Sequence, residues 1–253
     1  MFLQTTFTIN PVLTTTFIDF NQKVRFSFIT SGIKSILEYS EKAKLNILDI
    51  GAGLGNLSDF ISISQNCSIV NVEINSKRKL QNMVVADGSQ LPFVSEVFDF
   101  VVSCDVYEHV KKENRSDFVK EMLRCCKRGL VLTYSKIHAK NPSSSGIKIF
   151  EKLGGKNLDW YLEHNKNVIV DDKLLIENIQ ENGGKIKNKK PLVGVFGLFF
   201  TGLTIFIQGK IRISAFKYFL QIAGLLITRL IDFPPFYGFG LTVVKNKDYA
   251  GVL

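Results

Sequence analysis

With 253 residues, the chain can bury one sizeable core, or one domain carrying an appendage. A charged fraction of 22% and a mean hydropathy of +0.12 exclude a disordered polyelectrolyte. The net charge of +9 suits an anionic partner, either nucleic acid or an acidic membrane surface.

The four cysteines, Cys67, Cys104, Cys125 and Cys126, have neither metal-ligand nor disulfide-framework spacing. A reducing cytoplasm is the simplest context for them, and no basic residue precedes an apolar stretch in Met1 to Thr16, so a secretory signal is not expected. Residues 1–44 read as a polar, Thr-rich lead-in followed by a helix from Phe20 to Tyr39. Its apolar positions Val24, Phe28, Ile33, Ile36 and Leu37 fall roughly at helical spacing, with Gly32 as an interruption.

The organising stretch comes next. Leu45 to Ile50 is an apolar strand that includes an acid, Asp49. Gly51, Gly53 and Gly55 alternate after it, and Leu57 to Ile63 continues as an amphipathic helix. A strand turning sharply into a helix exposes backbone N–H groups and the positive end of the helix dipole. Glycines there let a ligand lie against the backbone and permit positive φ. A dinucleotide fingerprint would place its third glycine at position 56, which is Asn56, and no lysine lies between Lys44 and Lys77 for a phosphate-binding P-loop. Asp49 at the entrance suits a cationic or amino-bearing ligand better than a polyphosphate.

The run Asp49-Ile50-Gly51-Ala52-Gly53-Leu54-Gly55 resembles the first motif of the Rossmann-like, class I S-adenosylmethionine-dependent methyltransferases, and is most similar to the type 11 group. The resemblance extends to about residue 135. It implies an α/β fold with a doubly wound, mostly parallel seven-stranded sheet, an antiparallel last strand, and S-adenosylmethionine as cofactor. In that family the N-terminal helix lies over the cofactor cleft. The apolar pattern alone equally fits a helix that only packs on the sheet edge.

Ser68 to Glu73 reads as a second strand ending in an acid. Glu73 lies 22 residues beyond Gly51, the distance at which an acidic side chain takes ribose hydroxyls. Asn75 to Leu80 reads as a short basic helix, and Met83 to Ala86 as a third strand. The resemblance implies that Asp87, with Gly88 beside it, binds adenine, while a simple turn-forming Asp-Gly is the competing reading. Val97 to Cys104 is a buried strand, and Asp105 follows at its carboxyl end, where open α/β sheets bind ligands. The segment Glu108-His109-Val110 borders both cofactor and acceptor in the family.

Asn114 to Lys127 is expected as a helix ended by Gly129, with Leu130 to Tyr134 as the fifth strand. Residues 135–170 read either as a lid or acceptor-binding segment or as an irregular connector. Asp171 and Asp172 suit the cap of a helix from Lys173 to Gln180, stopped by Gly183-Gly184. A short strand through Ile186 follows, and Phe239 to Lys245 suits the last strand.

Between them, Pro191 to Gln208 is 18 residues without a charge. As a helix it would reach about 27 Å, borderline for crossing a bilayer. Ile213 to Phe233 is amphipathic, and Lys185, Lys187, Lys189 and Lys190 precede the pair. A hairpin lying in one leaflet, a two-span hairpin and an extension packed on the protein all fit. The amphipathic second half and the basic flanks suit the one-leaflet hairpin, whereas a two-span hairpin would place Lys210 and Arg212 on the far side, against the positive-inside tendency. The expected organisation is therefore a helical lead-in at 1–44, a Rossmann-like domain at 45–190 with 238–248, and an apolar helical insertion at 191–237.

Methyl transfer from a sulfonium needs alignment, and a hydroxyl or acid acceptor also needs a proton removed. Asp105, Tyr107, His109 and His138 are near enough to strand ends, and His109 is the preferred base because an ordinary histidine titrates near neutrality. The expected cofactor-binding set is Asp49, Gly51, Gly53, Gly55, Glu73, Asp87, Gly88 and Asp105, with no metal site. The expected acceptor is a small or lipid-like molecule, met in the cytoplasm or on the inner face of an anionic membrane. A catalytically inactive, membrane-attached module is the alternative. A nucleic-acid substrate is disfavoured, because no Asn-Pro-Pro-Tyr-type motif for a flipped base occurs.

Overall fold

Strand after strand in this chain alternates its apolar side chains between two faces, so both faces of the sheet need cover. The computed structural model describes residues 20–37, 44–53, 57, 67–75, 77, 82–136, 169–194, 236 and 238–246. Its strands are β1 (Leu45–Ile50), β2 (Cys67–Glu73), β3 (Met83–Val85), β4 (Phe98–Cys104), β5 (Cys126–Ser135), β6 (Gly184–Val193) and β7 (Gly238–Lys245). They form one sheet of seven strands in the order β3-β2-β1-β4-β5-β7-β6. All neighbours from β3 to β5 pair in parallel, and β7 runs antiparallel to both β5 and β6. This is the sheet that the family resemblance implied.

Among the described residues the α-helices are α1 (Phe20–Ile36), α2 (Arg115–Cys125) and α3 (Asp172–Glu181). Phe26, Phe28, Ile29 and Ile33 of α1 bury against Ile47, Phe100, Val102 and Val131 on one face. On the other face, Phe118, Val119, Met122 and Leu123 of α2 and Leu175 and Ile179 of α3 meet Leu48, Val101, Leu130, Leu241 and Val243. Removing these side chains from water is the main stabilising term, at about 25 cal/mol per Å² of apolar area. The helix α1 therefore covers a face of the sheet and does more than line its edge.

Three expectations are corrected. The helix expected over Asn114 to Lys127 ends at Cys125, and β5 begins at once with Cys126. Gly129 does not stop the helix; it lies in β5 opposite Val244 of β7. A Cβ on Gly129 would stand 2.2 Å from the backbone oxygen of Val243, so the residue is glycine because two strands approach there. The helix α1 stops at Ile36, short of Tyr39. Finally, β6 is ten residues long, not a short strand through Ile186, and takes in Pro191 to Val193. Among the described residues it pairs with β7 alone, and such an edge position favours lysines and accepts a proline.

Of the two acids expected to cap the next helix, Asp171 does so, whereas Asp172 is its first residue and Gly184 already belongs to β6. Asp171 accepts hydrogen bonds from the backbone N–H of Lys173 at 2.9 Å and of Leu174 at 3.4 Å, and Gly183 turns the chain into β6 with φ +80°. Among the described residues no helix is long and apolar enough to cross a membrane. The apolar stretch expected at 191–237 lies, beyond Gly194, almost wholly outside the described residues, as do most of the expected basic helix at 75–80 and all of 137–168.

Candidate active site

Asp49, Gly51, Gly53, Glu73, Asp87, Gly88, Asp105 and His109 all fall at the carboxyl ends of β1 to β4 or in the turns just beyond them. Gly55 and His138 lie outside the described residues.

The turn after β1 is built on backbone conformation. Gly51 has φ +73° and Gly53 φ +60°, both in the left-handed region. Gly51 N–H donates to the carbonyl of Val72 at 2.8 Å, which ties the turn to β2. A Cβ on Gly51 would stand 2.3 Å from Cγ2 of Val106. The sequence argument that a side chain here would obstruct a ligand thus gains a second physical reason, since Val106 already occupies that space.

Two acids flank the turn. Asp49 is only 4% exposed, and burial, followed by the charge of Glu73, raises its carboxyl to about 7. Glu73, the last residue of β2, accepts hydrogen bonds from Gly53 N–H at 3.0 Å and Asn75 N–H at 3.3 Å. Two buried acids thus stand beside open backbone, and a cation placed there would favour the ionised form of Asp49.

The loop after β3 is ordered from α2. Asp87 is exposed, and its Oδ1 accepts the Ser89 N–H at 2.8 Å, so its side chain does shape the Asp-Gly turn. Glu121 of α2 accepts from Leu91 N–H at 2.8 Å, while Arg124 donates to the carbonyl of Phe93 at 2.7 Å and of Leu91 at 3.2 Å. Gly88 packs against Phe118 and Ile50.

Beyond β4, Asp105 has φ +57°, a conformation uncommon outside glycine. Its N–H donates to Thr133 O at 3.0 Å, its Oδ1 accepts from Thr133 Oγ1 at 3.2 Å, and Arg25 of α1 lies against it with Nε 2.5 Å from Oδ1. His109 ends the 3-10 turn Tyr107–His109 and is half-buried. That turn is fixed by Glu108, whose buried carboxylate accepts Ser135 N–H at 2.9 Å, and by Arg115, which donates to Val110 O at 3.1 Å and Glu108 O at 3.4 Å.

Arg25, Glu108 and Thr133 were absent from the expected site. Glu108 stood within a recognised segment and could have been singled out. Arg25 gives no local signal, because its partner is 80 positions away in the chain. Cys125 and Cys126 are no nucleophiles: burial pushes their thiols up to about 11 and about 12.

Residues 48–133 match the model of a family described as a methyltransferase domain. Ajmaline N-methyltransferase of Rauvolfia serpentina is 23% identical over 161 residues, which cover 55% of this chain and 55% of that protein. Cyclopropane-fatty-acyl-phospholipid synthase of Escherichia coli (strain K12) is 23% identical over 125 residues, 47% of this chain and 28% of that protein. This chain thus spans little more than half of the first relative and less of the second. Among solved structures, the magnesium protoporphyrin IX methyltransferase of Synechocystis PCC 6803, with bound SAH (S-adenosylhomocysteine), has a TM-score of 0.53 at 13% identity, over 89% of this chain and 84% of that one. At that identity the likeness concerns the fold, which is the class I, Rossmann-like one.

Proposed function

We propose that this chain, whose residues 48–133 are a methyltransferase domain within a class I Rossmann-like fold, is an S-adenosylmethionine-dependent methyltransferase acting on a small or lipid-like acceptor at a membrane surface. The observation that carries the reading is the pair of buried acids, Asp49 and Glu73, on either side of the positive-φ turn Gly51–Gly53.

That arrangement fits the group. S-adenosylmethionine, when bound, supplies an electrophilic methyl on a positively charged sulfur. A pocket lined by two carboxylates favours that cation, and the ionised form of Asp49 gains a partner it otherwise lacks in an apolar surround. Glu73 would be the acceptor for the ribose hydroxyls, a task suited to a carboxylate at the end of β2. Asp87 and Gly88 would lie along the adenine, and Asp105 on the far side of Gly51. His109 is the proposed proton acceptor: an imidazole nitrogen takes the acceptor's proton as its heteroatom becomes the nucleophile.

The acceptor class rests on connectivity and charge. Ser135, at the end of β5, pairs with Gly238 at the start of β7, and Val193, at the end of β6, pairs with Gly238 from the other side. Residues 137–168 therefore leave from, and residues 195–237 leave from and return to, the end of the sheet at which β5 stops, the end that carries the candidate site. The second of these is the apolar stretch, and the lysines of β6 precede it. Two of the compared proteins have names that place them on a small molecule and on a phospholipid. A basic edge beside apolar sequence suits an anionic lipid surface.

Calorimetry with S-adenosylhomocysteine on the wild type tests the cofactor assignment, and micromolar binding is expected. No heat of binding would remove the enzyme reading. Flotation with anionic liposomes, with and without residues 195–237, tests the membrane part; full-length protein remaining at the bottom of the gradient would remove it.

A further inference from the structure

Arg25 has a position that neither the family motifs nor the cofactor pocket explains. It is a guanidinium only 3% exposed, on a helix whose other buried residues are apolar, and it points to the carboxyl edge of the sheet. Burying a charge there is costly unless it is paired, and the pair is Asp105. A Cβ on Gly238 would stand 3.4 Å from Arg25 Nη2. The guanidinium thus sits where β4 ends, β5 ends and β7 begins, which is also where the apolar stretch returns to the sheet.

Asp105 is held from three directions. Its N–H and its carboxylate are both bonded to Thr133, Arg25 approaches from α1, and its own backbone is in the left-handed region. The next residue, Val106, is the one that fills the space over Gly51. Any displacement of Asp105 therefore moves Val106 against the glycine turn. Contact is continuous from α1 through Arg25, Asp105 and Val106 to Gly51.

We propose that Arg25 is a positioning residue that couples the seating of α1 to occupancy of the cofactor pocket, acting through Asp105 and Val106 on the Gly51 turn. The inference rests on the function proposed above. It explains why a polar pair occupies a place that apolar side chains would fill at no electrostatic cost. It also gives Asp105 a role distinct from direct contact with the cofactor.

The test uses the full chain with S-adenosylhomocysteine as probe. In the wild type, hydrogen exchange across residues 20–36 should slow about tenfold on saturation. Arg25→Met should weaken S-adenosylhomocysteine binding about tenfold and abolish the ligand-dependent slowing, while Arg25→Lys, which keeps the charge, should restore part of both. Asp105→Asn added to Arg25→Met should bring no further loss of affinity, because the two act as one unit. If Arg25→Met does not fold, the wild-type exchange and the Arg25→Lys protein decide the matter.

Wild-type binding with unchanged exchange over residues 20–36 overturns the coupling and leaves the function proposed above intact. So does full affinity, with normal ligand-dependent slowing, in Arg25→Met. Absence of binding by the wild type removes the function and this inference together.

Discussion

Glu73 Oε2 accepts a hydrogen bond from the backbone N–H of Gly53 at 3.0 Å, so the acid that ends β2 also grips the turn that follows β1. One carboxylate thereby fixes the turn and stands beside the open backbone of Gly51 and Gly53. Glu73→Gln keeps the shape but removes the charge, and the amide cannot accept at both ends. Loss of hydrogen bonds to a charged group costs about 1.5–3 kcal/mol. S-adenosylhomocysteine should accordingly bind about 10–100-fold more weakly in calorimetry. Unchanged affinity would show that the ribose lies elsewhere.

Asp49 makes stability depend on pH in an unusual direction. Its carboxyl is raised from 3.8 to about 7 by burial first and by Glu73 second. Between those values the folded chain holds a proton that the unfolded chain has lost, so this group's contribution falls as pH rises through that window and is flat above about 7. Asp49→Asn should remove that slope and raise thermal stability at pH 8 relative to wild type, as read by melting scans at pH 5 and 8. A cationic ligand favours the ionised carboxylate, so S-adenosylmethionine should bind more tightly as pH rises toward about 7, with proton release visible in calorimetry. That pH dependence should vanish in Asp49→Asn.

The parts of the fold that were legible in the sequence are those set by neighbours along the chain. The turn at Gly51 and Gly53, the acids at the ends of β1 and β2, and the Asp171 cap all follow from local backbone and hydrogen-bond demands. The parts that were not legible depend on residues far apart. Gly129 looked like a helix stop because Gly commonly follows a helix, yet its reason is β7, more than a hundred residues later in the chain. The polar run Lys185–Lys190 hid an edge strand, since an edge needs no apolar alternation and gains from lysine. Arg25 was invisible for the same reason: nothing near it in sequence announces the carboxylate of Asp105 that it meets.

Gly129 therefore offers a clean packing test. In Gly129→Ala the new methyl would meet Val243 O at 2.2 Å, a backbone atom that cannot rotate away. The β5–β7 pair must splay, at a cost of about 1–3 kcal/mol or more. A lowered melting temperature with the cofactor affinity of the surviving folded fraction unchanged is expected, because the site lies at the other end of the strands. Gly51→Ala should behave differently. Both its φ of +73° and the clash with Val106 oppose a side chain, so affinity and stability fall together. Adding Val106→Ala relieves the clash but not the backbone conformation, and only partial recovery should follow.

The last prediction concerns acid stability at the rim of the site. Asp172 accepts from Tyr134 Oη at 2.8 Å and pairs with Lys136 at 2.7 Å and Lys189 at 2.6 Å, joining α3, β5 and β6. Burial pushes its carboxyl up, but the bonds from Lys136, Lys189 and Tyr134 outweigh that and hold it below its ordinary range. A group held down in the folded state contributes stability above its unfolded pKa, and that contribution disappears as pH falls through the folded value. Asp172→Asn should thus flatten the acid limb of a stability profile below about pH 4, and should cost about 1–3 kcal/mol at pH 7. Two ammonium groups would then face one another beside Phe239, whose ring centre lies 5.0 Å from Lys136 Nζ and 5.9 Å from Lys189 Nζ. Tyr134→Phe removes only a neutral donor and should cost about 1 kcal/mol, with the acid limb retained. Equal profiles for the two variants in urea melts at pH 3.5 and 7 would show that Asp172 acts through its hydrogen bond alone and that its charge is irrelevant.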